Sequence, residues 1–118
     1  MAKKFELMSA NYSETQYTAG GTVTAGTFVT LNETNGFTLV DAVSGDLSTV
    51  VFKAEKVKAE AAAVVIASGE AAYWDSGAGK VTNVVGANTL IGVFVRAAAS
   101  ADTHAYLDFD GTLAFAKA

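Results

Sequence analysis

The sequence predicts an all-β fold: a small barrel or sandwich of about eight or nine short strands, with an extended N-terminal arm and at most one short helical turn. Three observations predict it. Proline is absent from the 118 residues, so turns must be built from Gly, Asn, Asp and Ser. The 11 glycines, with frequent Thr and Val and scarce Leu, are the vocabulary of short strands and tight turns, not of helix bundles. Apolar residues fall in short alternating runs between turn signals, at spacings typical of small all-β domains. With 51% apolar and 17% charged residues, the chain can bury one real core.

Residues 1–21, MAKKFELMSANYSETQYTAGG, carry no sustained period. Phe5, Leu7 and Met8 could pair briefly as a strand; the stretch as a whole reads either as a frayed terminus or as an arm that orders on a partner, with Phe5, Tyr12 and Tyr17 as anchors. A single β-domain is expected over 22–118. Thr22-Val23-Thr24 leads into an Ala25-Gly26 turn, and Phe28 to Leu31 is a strand. Asn32 to Gly36 reads as a turn, because Asn-Gly is a strong hairpin signal. Phe37 to Val43 is the return strand, and Ser48 to Lys53 the next. Residues 54–67 mix helix formers with β-branched residues. They read as a strand continuing to about Lys58, then one short helical turn or a loop over Ala59 to Ala63. Ala71 to Trp74 and Lys80 to Thr82 are strands around a turn made by Asp75, Gly77 and Gly79. Thr89 to Val95 is the most apolar strand. His104 to Asp110 alternates cleanly, and Asp110-Gly111 opens a return over Thr112 to Phe115.

An internal repeat emerges when the chain is laid on itself. Val23 to Gly26 matches Ile66 to Gly69, 43 residues on, and the same shift sets Asn32 on Asp75 and Gly36 on Gly79. After an insertion the match resumes at a shift of 56, with Gly36 on Gly92 and Ser44-Gly-Asp46 on Ser100-Ala-Asp102. The reading is a duplicated strand-turn unit. Its structural turn positions are Gly26, Gly36, Gly69, Asp75, Gly79 and Gly92.

Several kinds of chemistry are excluded. A formal charge of −4 argues against nucleic acid as a partner, since phosphate recognition needs a basic face. Zero cysteines remove disulfides, thiolate zinc sites and thiol catalysis. No apolar run reaches a membrane-spanning length, and no signal-peptide core follows Lys3-Lys4, so synthesis and retention in the cytoplasm are expected. Gly77-Ala-Gly79-Lys80 echoes a P-loop, but Trp74 and Val81 stand where that loop needs Gly and Ser or Thr. His104 is the sole histidine and falls on the polar face of its strand. Asp108 and Asp110 share that face and read as solvated neighbours, not as a catalytic carboxylate pair. No catalytic, metal or cofactor-binding residues are predicted. Tyr73 and Trp74 should face opposite sides of their strand. Either both simply pack, or the outward one lies in a subunit interface.

The run from Ala67 to Thr82 (ASGEAAYWDSGAGKVT), followed by Asn88 to Val93 (NTLIGV) and Ala97 to Asp102 (AAASAD), resembles the small capsid cement, or head decoration, proteins of tailed phages and prophages. The likeness covers most of residues 20–109 and is weak before 20. Asp46 to Ala63 departs from the pattern, and 110–118 look like an added tail. The resemblance implies a non-enzymatic virion protein on the outer capsid surface, made in the host bacterium. It would bind the major capsid protein, clamp neighbouring capsomers and assemble as a homotrimer, with no cofactor. Lys3, Lys4, Phe5, Tyr12, Tyr17, Tyr73 and Trp74 are the candidate contacts. On this reading, deleting 2–17 would weaken attachment and leave the fold intact. Two rivals carry different signatures. A glycan- or receptor-binding head fibre or spike module needs an exposed aromatic shelf. A small enzyme or cation binder needs a cleft where Asp75, Asp102, Asp108 or His104 converge.

Overall fold

The structure is a computed structural model that describes residues 4–32 and 34–113. They form nine strands: β1 (Phe5–Leu7), β2 (Tyr12–Thr18), β3 (Phe28–Leu31), β4 (Thr34–Thr38), β5 (Leu47–Glu60), β6 (Ala71–Asp75), β7 (Lys80–Thr82), β8 (Thr89–Phe94) and β9 (His104–Asp110). The sheet runs β3-β4-β5-β9-β8-β6-β7, with β1 and β2 on the remaining edge of β5. It curls far enough that the Ala62 N–H reaches the Val81 carbonyl at 2.9 Å, joining β7 to the chain leaving β5. Among the described residues there is no α-helix. The ambiguous stretch over 54–67 instead continues as strand to Glu60 and bridges to Val81 at Ala61.

Strand β5, 14 residues long, is the axis of the fold. Val50 and Val51 are paired with β2 on one edge and β4 on the other; Ala59 is paired with Phe5 and with Ala105. Between these halves the register against β9 slips from Ala54–Phe109 to Val57–Leu107. The extra residue leaves Lys56 at φ 53°, and the Asp108 carboxylate secures it by accepting the Lys56 N–H at 3.0 Å. Such a bulge bends its strand and sharpens the twist, which lets one strand serve both halves of the curled sheet.

The duplication is visible in the hydrogen bonds. In the first copy Gly26 N–H donates to Thr38 O (2.6 Å) and Thr38 N–H to Thr27 O (2.9 Å). In the second, Gly69 N–H donates to Phe94 O (2.7 Å) and Phe94 N–H to Glu70 O (2.8 Å). Val23–Ala42 and Ile66–Ala98 form matching antiparallel bridges. The turn before β5 and the turn before β9 also match: Asp46 Oδ2 accepts from Val43 N–H (3.1 Å), and Asp102 Oδ2 from Ala99 N–H (2.9 Å). The short side-chain acceptor closes its own turn, a mechanism that favours Asp, Asn or Ser at that position. Strands β3 and β4 therefore correspond to β6 and β8. The segment over 76–88, which holds β7, is an insertion within the second hairpin.

Several expectations fail for identifiable reasons. Asn35-Gly36 is not a turn but part of β4; the reversal occurs at Asn32, with φ 50°, because Leu31 pairs with Thr34. The return strand accordingly starts and ends earlier, at Thr38 rather than Val43. Gly36 is needed because a Cβ there would overlap the Val50 side chain and the Val51 carbonyl. Gly92, likewise expected in a turn, lies inside β8, where a Cβ would overlap the Asp108 carbonyl. Gly26, Gly69 and Gly79 do occupy turns, with φ of 82°, 93° and 66°. Asp110 Oδ1 accepts the Thr112 N–H at 3.0 Å in a turn, whereas the Phe115 end of the expected return lies outside the described residues.

The N-terminal arm is also corrected. Residues 5–7 and 12–18 are strands on β5, and Phe5 is 1% exposed. Its ring stacks on Phe37 (centroids 5.2 Å apart, planes at 9°) and meets Trp74 at 5.1 Å, Phe109 at 5.6 Å and Phe28 at 6.0 Å. A three-residue strand is too short to show a period, but Phe5 fills the space between rings from β3, β4, β6 and β9. Phe5→Ala should cost about 3–5 kcal/mol in urea unfolding. Deleting 2–17 should abolish the cooperative transition rather than leave the fold intact, as loss of the denaturation step would show. Gly36→Ala should cost about 2–3 kcal/mol by overpacking, whereas Gly45→Ala should cost only about 1 kcal/mol, since φ of 92° is its sole constraint.

Candidate functional site

The expected contact residues scatter. Phe5 is in the core, and so is Trp74, 8% exposed and stacked on Phe28 at 4.8 Å with planes 15° apart. The neighbour rule holds in that Trp74 points inward, but Tyr73 is half-buried, not a projecting ring. Tyr17 is half-buried, with its hydroxyl buried and unpartnered among the described residues. Lys4 forms a 3.2 Å ion pair with Glu60 and lies over the Gly79 turn. Lys3 lies outside the described residues. Tyr12, 40% exposed, remains a surface aromatic on the wall of an open concavity of about 620 Å³ that includes Lys53, Glu55, Val93 and Asp108.

The acidic residues do not converge either. Asp75 Oδ1 accepts the Gly77 and Ala78 N–H groups at 3.0 and 3.2 Å, so the P-loop-like string is a β6–β7 hairpin turn. Asp108 holds the β5 bulge, and Asp110 caps Thr112. Asp102 and His104 line a separate hollow with Lys58 and Tyr106, where Arg96 stacks over the Tyr106 ring at 4.2 Å. Among the described residues no three His, Asp or Glu side chains come together as a metal site.

Exposed aliphatic side chains lie on several loops, among them Val40, Val43 and Leu47 ahead of or at the start of β5, and Val65, Val84 and Val85 around β7. Val65, Val84 and Val85 are 71%, 53% and 60% exposed. Asn83 joins their two loops, its Nδ2 donating to Val65 O at 2.9 Å and to Glu70 Oε1 at 3.1 Å. Glu70 Oε1 also accepts the Ala67 N–H at 2.6 Å. On the other side, Asn88 Nδ2 donates to Val84 O at 3.0 Å and Asn88 N–H to Val85 O at 2.8 Å. The three valines thus form an apolar tip on pinned loops, two of them inside the insertion that breaks the internal symmetry. Exposed apolar groups on an ordered frame are the usual mark of a protein contact. Sequence reasoning passed over them because loop valines have no periodic partner; the one available signal was an apolar pair within a Gly-Asn loop.

Glu70 supplies a check on this frame. The Ala67 N–H and then the Asn83 amide stabilise its carboxylate and hold its pKa below the ordinary value. A lowered folded-state pKa means the stabilisation is complete above the unfolded carboxylate value and is lost as pH falls through the folded one. Glu70→Gln should therefore flatten the acid limb of a melting-temperature profile below about pH 4.5 and leave its shape above about pH 6 unchanged.

No curated protein matches the sequence. The phage cement protein family matches residues 10–109, which takes in β2 to β8, nearly all of β9, and the valine tip. A curled, nine-stranded sheet and a match over most of the chain lead to one statement: this chain belongs to the phage cement protein family, a family of phage structural proteins.

Proposed function

We propose that this protein binds the outer surface of the assembled phage head and cements neighbouring capsomers, with the major capsid protein as its partner and no enzymatic step. The family match over residues 10–109 carries this reading. The fold supports it: a rigid β-domain displays the Val65–Val84–Val85 tip on hydrogen-bonded loops, so little ordering entropy is lost on contact. We assign this tip as the main shell contact, with Tyr12 and Lys4 as surface residues that add to it.

Cementing follows from linkage. A protein that binds the assembled shell and not its dispersed subunits stabilises the shell by mass action. Repetition over a lattice adds avidity without strong single contacts. A cyclic homotrimer at threefold joints would place three tips around each axis. The glycan-binding rival loses ground, since Tyr12 is the single aromatic among the strongly exposed large side chains of the described residues.

Val84→Asp with Val85→Asp should reduce binding to expanded, emptied heads by at least about tenfold, because two desolvated charges replace apolar contacts. The melting temperature should stay within a few degrees of wild type, since both positions are exposed. Wild-type protein should raise the temperature at which heads release their subunits, and the double variant should not. Undiminished head binding by the folded double variant would remove the tip from the proposal.

A further inference from the structure

Most strand edges in this sheet are closed. The outer edge of β7 is met by the Ala62 N–H, and that of β1 donates from Phe5 N–H to Gly26 O at 3.1 Å. Strand β3 has four residues, three of them half-buried. Strand β2 differs. It has seven residues, six of them exposed, and among the described residues its main chain bonds to β5 alone.

The groups left over can be named. Leu39 N–H donates to Thr49 O at 3.1 Å, so Thr49 turns toward β4. Gln16, the register partner of Thr49, therefore turns its N–H and C=O away from β5. Alternation adds Glu14 and Thr18. An open edge is normally guarded by proline, lysine, inward-pointing charge or a bulge on the edge strand. Here the chain has no proline, β2 carries one charge, Glu14, and the extra residue at the Ser13–Glu14 slip is Phe52 of β5. These outward groups recognise one chemistry, an extended main chain.

We propose that β2 pairs with β2 of a second copy, antiparallel about a twofold axis at Thr15. That register overlaps all seven residues. Thr15 faces itself, Ser13 faces Tyr17 and Tyr12 faces Thr18, while Glu14 faces Gln16 of the second copy. The lone carboxylate never meets its own image, and Thr–Thr is a favourable cross-strand pair. The strand is thus compatible with itself in charge and in hydrogen-bond phase, and the sheet continues through the axis into the second copy. A single-strand contact buries less than the roughly 1,200 Å² of a stable interface. The pairing is therefore weak in dilute solution and is driven by crowding on a repeating surface, where it ties one copy to the next. It stands apart from the tip's contact with the shell.

Sedimentation equilibrium on the isolated protein, from about 10 μM to about 1 mM, tests this. The mass should double relative to the unit present at the lowest concentration. Gln16→Pro removes an outward N–H and leaves the bonds that Thr15 and Tyr17 make to β5, so it should abolish the doubling while circular dichroism stays native. Gln16→Lys sets two Glu–Lys pairs across the axis and should tighten association about fivefold at low salt; Gln16→Glu sets two Glu–Glu pairs and should weaken it about fivefold. Constant mass across the range overturns the proposal. So does doubling that is unchanged in folded Gln16→Pro, or lysine and glutamate variants that shift association the same way. Should Gln16→Pro not fold, the opposed signs of the two charge variants decide alone.

Discussion

Every other strand of the described residues depends, directly or through the strands between, on the pairing of β5 along both of its edges. Its first half holds β2 and β4, and its second half holds β1 and β9. A straight strand could not serve both sets in a sheet that curls. The bulge at Lys56, locked by the Asp108 carboxylate, supplies the bend. Asp108, read from the sequence as a solvated surface acid, is thus structural through one hydrogen bond to a neighbouring main chain. Burial follows the same logic. Val50 and Val51 are consecutive and both fully buried, which happens only where both faces of a strand are covered.

Much of this was legible in the chain, in proportion to how local the determining physics is. The class and number of strands followed from alternation and the absence of proline. The duplication was legible because turn capping demands particular residue types, so Gly26 and Gly69, or Asp46 and Asp102, recur at fixed offsets. What could not be read depended on distant partners. Gly36 looked like a turn residue because the same lack of a side chain serves a hairpin and a close approach to Val50 and Val51. Phe5 looked like an anchor on an arm because nothing within residues 1–21 reveals that Phe37, Trp74 and Phe109 leave a ring-sized space. The contact candidates leaned the same way: aromatic residues were favoured, and two of them, Phe5 and Trp74, are core rings.

Duplication also explains where elaboration was tolerated. The first hairpin turns within two residues at Asn32, while the second accommodates β7 and two further turns between the equivalent strands. The core bonds of both copies are the same, so the insertion costs the frame little. It brings Asn83 and Asn88, which pin its loops, and the exposed Val84 and Val85, which have no counterpart in the first copy. Specialisation of one half of a repeated unit leaves the other as scaffold.

The aromatic cluster has a consequence for how the protein comes into being. Its members run from β1 to β9, with Phe5 and Phe109 in edge contact and Phe37 against both. A ribosome releases the chain from the N-terminus, so Phe5 must wait, unsatisfied, until Phe109 has emerged about a hundred residues later. A piece that stops before β9 cannot complete the cluster, and its rings stay exposed to proteases and chaperones. The same arrangement acts as quality control: only chains that extend through β9 can hide the cluster.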